Sequence, residues 1–344
     1  MISILGVDVG GTKVAAGPVD RGGGLLAPPL VESSRTTDTA SFLAGLEATL
    51  RRALAEFGGF GPRAIGLACA GTVDGARGVV VTSPHLPLRE VPLAGILREV
   101  LGVPVILEND ANAAVLGEAV AGAAAGLRHV VMLTLGTGVG GGLFLDGRLF
   151  RGVGGGAGEL GHSIVQADGE LCLCGARGCL EMYASGPALA RYAAARAGDP
   201  TLDPGGALLG LREEGNLTGG AVARLARDGH PGALEAAREL AGWLGIGLVS
   251  VTNVFNPEMI VVGGGVGELG ELLLEPAREV VRRMAITPNR DQVRISPAVL
   301  GNRAGLVGGG LAAWEVLEGE GSPGGPTGVA AGGGAAVGDA TDTG

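Results

Sequence analysis

Between Glu159 and Glu181 the chain reads Glu-Leu-Gly-His-Ser and then Cys-Leu-Cys-Gly-Ala-Arg-Gly-Cys-Leu-Glu, gathering three of its four cysteines and one of its four histidines. His162, Cys172, Cys174 and Cys179 form the sulfur and nitrogen set that zinc takes in a tetrahedral structural site. The spacing is not that of paired Cys-x2-Cys knuckles, so free thiols or a redox pair are the alternatives. Four protein ligands leave no open position, which makes such a metal a scaffold and not a Lewis acid. Glu159 and Glu181 lie just outside the cluster, where a fixed loop could present them, with His162, to ligand hydroxyls. Two solvated acids are the plain alternative. Cys69 falls within an apolar run and reads as core.

Three glycine clusters make a second offer. Asp8-Val-Gly-Gly-Thr-Lys13 sets a carboxylate, Gly10, Gly11, the Thr12 hydroxyl and the Lys13 ammonium around one turn, suited to phosphate oxygens. Asp8 could hold Mg²⁺ directly or through water. Gly136, Thr137 and Gly138 open a similar turn without a lysine, and Gly264-Gly265 follow a short apolar strand where a flat ligand can lie on bare backbone. Neither the Walker nor the Rossmann spacing is present, and ordinary tight turns explain each cluster singly. Together they suit a nucleotide spread across a cleft. Leu107-Glu-Asn-Asp110 places an acid where a buried strand turns into a helix. Asp110 there could take a proton from an attacking hydroxyl, or Asn109 or Asp110 could simply cap the helix.

The elements that must position these residues follow from pattern. Ile2 to Asp8 and Lys13 to Val19 read as a hairpin, Phe42 to Phe57 as a helix, and Ala64 to Ala70 as a buried strand. A strand from Val103 to Leu107 leads into a small-residue helix from Ala111 to about Ala125. His129 to Leu135 and Gly141 to Leu145 repeat the hairpin plan, which suggests two related α/β halves with a cleft between them. Helices fill Ser185 to Phe255, and Met259 to Val262 is read as the last strand. After Glu318 the chain turns to Gly, Ala, Pro, Ser and Thr, a composition that cannot offset its ordering entropy, so the tail is expected to be disordered.

At 344 residues, two lobes are expected. The chain is 46% hydrophobic but only 3% aromatic, so its core must be aliphatic. A formal charge of −10 disfavours nucleic acid and anionic membrane as partners. The charge-free stretch from Leu240 to Pro257 holds Ser250, Thr252, Asn253 and Asn256, which fits a buried helix better than a membrane span. With Asp8 in its apolar start, no secretory leader is expected, and reduced thiols favour metal over disulfides.

In this order the motifs resemble the ROK family, whose members include bacterial glucokinases and related sugar kinases. The likeness runs from Ile4 to about Trp314 through Asp8–Lys13, Glu108–Asn112, Gly136–Gly141, Gly158–His162, Cys172–Glu181 and Asn256–Gly265. It implies an actin-like ATPase (ribonuclease H-like) α/β fold, two lobes around a cleft. Residues 1–112 would form the small lobe, completed by a last helix near 303–317. Residues 113–302 would form the large lobe with the zinc loop, and 318–344 the tail. The resemblance makes Asp110 the catalytic base, and Gly71, Asn109, Glu159, His162 and Glu181 its partners on the sugar. It makes Asp8, Gly10, Gly11, Thr12, Lys13, Gly136, Thr137, Gly138, Gly264 and Gly265 the nucleotide contacts. ATP, Mg²⁺ and structural zinc are the implied cofactors, and a cytoplasmic homodimer or homotetramer the implied assembly. The implied reaction is phosphorylation of a hexose, glucose at its 6-hydroxyl first. An N-acetylhexosamine or N-acetylmannosamine kinase is the near rival. A sugar-sensing regulator is the distant one, not expected because Ile2 already begins the first strand. Ala70 and His85 depart from the glucokinase pattern near the expected sugar side.

Overall fold

The computed structural model describes residues 2–319 and builds two five-stranded sheets on one plan. In the first, β1 (Ser3–Val9) and β2 (Lys13–Val19) form the expected hairpin, and β3 (Leu30–Ser33) extends it antiparallel. Helix α1 (Thr39–Glu56) then returns the chain to β4 (Pro62–Cys69), which pairs parallel with β1. Three short strands, β5 (Thr72–Asp74), β6 (Val79–Thr82) and β7 (Arg89–Val91), make a small separate sheet that pattern did not reveal. Helix α2 (Leu93–Leu101), β8 (Val105–Asn109) and α3 (Asp110–Ala121) complete this half.

The second sheet starts with the hairpin β9 (Val130–Leu135) and β10 (Val139–Leu145), extended by β11 (Arg148–Leu149). Helices α4 (Glu181–Ala184), α5 (Gly186–Ala194), α6 (Ala207–Glu213), α7 (Gly219–Arg227) and α8 (Pro231–Phe255) follow. Then come β12 (Met259–Gly263), α9 (Glu271–Met284), α10 (Asn289–Gln292), β13 (Arg294–Pro297) and α11 (Ala304–Gly319). Met259–Val262 is therefore not the final strand. The four residues of β13 are too few, and only one too deeply buried, to show alternation. The sheet orders β3-β2-β1-β4-β8 and β11-β10-β9-β12-β13 match position for position.

Local chemistry sets the helix ends. Helix α1 starts three residues before Phe42 because Asp38 accepts from Ser41 N (2.8 Å) and its first turn is polar. Helix α8 holds the charge-free stretch and stops at Asn256, whose φ of 43° breaks the helix before Pro257. Among the described residues no helix is long and apolar enough to cross a membrane. Glu318 and Gly319, assigned to the tail from sequence, close α11; the rest of the tail lies outside the described residues.

Helices α1 and α2 pack on one face of the first sheet, and α5, α7, α8 and α9 on one face of the second. Between the sheets lie α3 and α11, joined through Val115, Leu116, Leu306 and Leu311 to Val130, Met132 and Val261. Each fully buried Leu or Val contributes about 1.5–3 kcal/mol, so aliphatic burial holds these layers. The contact at the centre is backbone to backbone. A methyl at Gly66 would stand 1.9 Å from Gly309 O, and one at Gly308 would stand 1.6 Å from Ala113 O.

Candidate active site

A cavity of about 450 Å³ opens where β1, β4, β8, β9 and β12 end, so both sheets aim their carboxyl edges into it. Ligands of open α/β sheets gather at such edges. Its wall carries Gly10, Gly11, Gly71, Asn109, Asp110, Gly136, Thr137, Gly138, Glu159, His162, Glu181 and Gly264. Of the sugar and nucleotide contacts expected from sequence, Asp8, Thr12, Lys13 and Gly265 are not on this wall.

The corner between β8 and α3 decides which of the two residues caps the helix. Asn109 is the N-cap, its Oδ1 accepting from Asn112 N (2.9 Å), while Asp110 is the first helical residue. Asn109 Nδ2 donates to Gly71 O (2.8 Å) and to Asp110 Oδ1 (3.1 Å), and Ala111 N donates to the same oxygen (3.0 Å). Gly71 has a φ of 119°, and a methyl there would stand 2.4 Å from Thr82 O, so only glycine turns this corner. Burial pushes the Asp110 carboxyl up to about 6; the Ala111 N–H and His85 oppose that rise, and Glu159 adds to it. A carboxylate in that range is a better proton acceptor than an exposed one and is still ionised at neutral pH.

Asp8 is the next-to-last residue of β1, two strands from β8 in the same sheet and beside the first turn of α11, where a methyl on Gly305 would stand 2.9 Å from Asp8 Cγ. Burial also raises its carboxyl to about 6, with Asp110 adding to the rise and Lys13 countering it. Asp110 is therefore near enough for its charge to be felt at Asp8. The turn after Asp8 is closed by Gly10 N donating to Lys13 O (3.0 Å) and by Ser34 Oγ donating to Gly10 O (2.7 Å).

On the opposite wall the cysteine cluster comes together. The ligand atoms of His162, Cys172, Cys174 and Cys179 all lie within 4.8 Å of one another. The Cys174 and Cys179 sulfurs are 3.6 Å apart, and Cys172 Sγ lies 3.7 Å from His162 Nδ1. A tetrahedron with Zn–S bonds of about 2.3 Å has edges of about 3.8 Å, so this donor set fits such an ion. The cluster also backs the cleft. Cys172 Sγ lies 3.6 Å from Glu181 Oε1, and Glu181 Oε2 accepts from Val139 N (3.1 Å), tying the cysteine loop to the second glycine turn.

His85, placed near the sugar side by the resemblance, lines the cavity with Pro84, and its Cβ would stand 2.9 Å from a methyl on Gly11. Pattern reading missed another part of the site. A second pocket of about 680 Å³ shares Gly136 and Thr137 with the cleft and contains Gly265. It is walled by Gly186 and Pro187 of α5, Thr218 before α7, and Arg224 and Arg227 within α7. The Ser-Gly-Pro and Thr-Gly-Gly helix starts were the available signals: Thr218 Oγ1 accepts from Ala221 N (3.2 Å) as an N-cap.

Residues 4–315 match the model of the ROK family. The chain is 40% identical to a glucokinase of Streptomyces coelicolor over 307 residues, which is 88% of this chain and 95% of that one. A crystal structure of a ROK family glucokinase from Streptomyces griseus, in complex with glucose and AMPPNP, superposes with a TM-score of 0.77 at 39% identity. The match covers 90% of this chain and 98% of that one. A ROK hexokinase from Thermus thermophilus superposes with a TM-score of 0.73 at 35% identity, covering 92% and 99%. The fold is that of the actin-like ATPases.

Proposed function

Because the chain belongs to the ROK family, we propose that it is an ATP-dependent sugar kinase, with glucose, phosphorylated at its 6-hydroxyl, the first substrate to test. One observation carries the reading: a single cleft joins Asp110 to both glycine turns on one side and to Glu159, His162 and Glu181 on the other. In this reading Asn109, Glu159, His162 and Glu181 hold sugar hydroxyls, and Asp110 takes the proton of the hydroxyl that attacks phosphorus. The turns at Gly10–Gly11 and Gly136–Gly138, with Thr12 and Lys13 nearby, hold the phosphates. The 680 Å³ pocket beside Gly264–Gly265 takes the nucleoside. Mg²⁺ brought by the nucleotide supplies charge neutralisation, and Asp8 is the residue that would hold it. Zinc in the cysteine cluster would fix the loop that carries His162 and Glu181. The lobes divide near residue 112, and two or four copies assemble.

Ala70 and His85, both on the cavity wall, make glucose a preference to be measured. A coupled assay over glucose, mannose, N-acetylglucosamine and N-acetylmannosamine, with ATP or polyphosphate as donor, tests the reading. Turnover greatest with a plain hexose and ATP supports it. Preference for an N-acetylated sugar shifts the substrate, and no turnover with any pair removes the kinase.

A further inference from the structure

Among the buried acids to which the reading above gives no role, Glu108, Glu118 and Asp203, the first adjoins the base. Glu108, at the end of β8, is 5% exposed and sits two residues before the base. Its Oε1 accepts from Asn109 N (3.1 Å) and from Asn112 Nδ2 (3.0 Å), and its Oε2 accepts from Arg151 Nε (2.6 Å). Both bonds at Oε1 therefore go to residues that bracket Asp110. Arg151 belongs to the other half of the molecule. Its carbonyl accepts from Ala157 N (3.0 Å), closing the loop that runs on to Glu159 in the cleft. Its Nη2 lies 3.8 Å from Glu315 Oε2 of α11.

We infer that Arg151 is a positioning residue: through Glu108 it holds the Asn109–Asp110 corner in place and links it to the loop carrying Glu159. The inference rests on the reading of Asp110 as the base. The pair is unequal, since the Arg151 side chain is 40% exposed and that of Glu108 only 6%. Removing Arg151 therefore strands a buried carboxylate, which draws in water to keep its charge. That loosens its bonds to Asn109 N and Asn112 Nδ2. Lysine keeps the charge but not the planar fork. The charged and titratable groups around Asp110 are His85 and Glu159 in the cleft, Asp8 and Lys13 beside it, and Glu108, Arg151 and Glu315 behind it.

The test is steady-state kinetics of the full chain, with the sugar that turns over best, for Arg151→Met, Arg151→Lys, Glu108→Gln and the Met/Gln double variant. Arg151→Met should lower kcat about tenfold or more while sugar KM changes less than about threefold. It should also move the acid limb of the kcat profile up by roughly half a pH unit, since an uncompensated carboxylate then stands behind the base. Glu108→Gln should not move that limb up, the double variant should be no slower than the slower single, and Arg151→Lys should recover part of the loss. Parent-like kcat and limb in Arg151→Met, or losses that multiply in the double variant, overturn the inference. If Arg151→Met does not fold, Arg151→Lys decides: a parent-like kcat overturns the inference, and a reduced kcat at unchanged KM carries it. A parent chain that phosphorylates no sugar removes the functional reading and this one with it, whereas a turning-over parent matched by its variants removes this one alone.

Discussion

Replacing Asp110 by Asn should separate catalysis from stability, and in opposite directions. Moving a carboxyl from 3.8 to about 6 corresponds to about 3 kcal/mol against the ionised native state. The side chain borders an open cleft, so about 1–2 kcal/mol is the realistic share. The sign follows from proton binding. The folded protein binds this proton more tightly than the unfolded chain does. The stability that proton brings is complete below the unfolded value of 3.8 and is lost as pH rises through about 6. Asparagine has no proton to lose and keeps the acceptor for Ala111 N and Asn109 Nδ2. The variant should thus match the parent near pH 4 and exceed it by about 1–2 kcal/mol at pH 8 in urea unfolding. Turnover should fall about 10²–10⁴-fold with sugar affinity nearly unchanged. In the parent, kcat should decline below about pH 6 as the base takes up its proton. A variant less stable than the parent at pH 8, or one that keeps turnover within tenfold, refutes this reasoning.

Three other substitutions probe the surrounding structure. Cys174→Ser should reduce bound zinc, measured by metal analysis, and raise the sugar Kd about tenfold or more in calorimetry; normal sugar affinity in zinc-free protein removes the scaffold role. Gly138→Ala puts a methyl 2.1 Å from Glu181 Oε2, so Glu181 must leave Val139 N. Sugar KM should then rise about tenfold with little change in Tm, and an unchanged KM means that Glu181 does not depend on this turn. Gly308→Ala meets a backbone oxygen at 1.6 Å, where no side chain can yield. Urea unfolding should show a loss of about 3 kcal/mol or more, and a parent-like midpoint means that α11 and α3 are not in such close contact.

What could be read from the chain followed from chemistry that repeats locally. Apolar runs broken by Gly-Gly-Thr and Gly-Thr-Gly give both hairpins, and a valine-rich strand running into Asn-Asp gives the β8–α3 corner. The strand boundary there was misplaced by two residues. Pro104 keeps the expected start out of the element, while Glu108 and Asn109 stay paired with Ala68 and Cys69. The four candidate metal ligands, three cysteines and a histidine, announced themselves by composition, and the fold brings their donor atoms together. Contacts set by distant segments left no trace: Arg151 reaches back 43 residues to Glu108, and His85 covers Gly11 only through packing. Strands β5, β6, β7, β11 and β13 are two to four residues each, too short for alternation to be read. Part of the wall formed by α5 and α7 was hidden because Gly186, Thr218, Gly219 and Gly220 are small residues at helix starts.

Two groups of glycines among the described residues, one of them at the tight central seam, have opposite engineering value. Gly66, Gly308 and Gly309 are committed to contacts that admit no added carbon. Gly45, Gly95 and Gly210 lie inside α1, α2 and α6 with open space where a methyl would go. Alanine at each of these three should add about 0.5–1 kcal/mol by restricting the unfolded chain. A heat-tolerant form of the protein is thus reachable by editing surface helices alone, leaving the seam and cleft as they are.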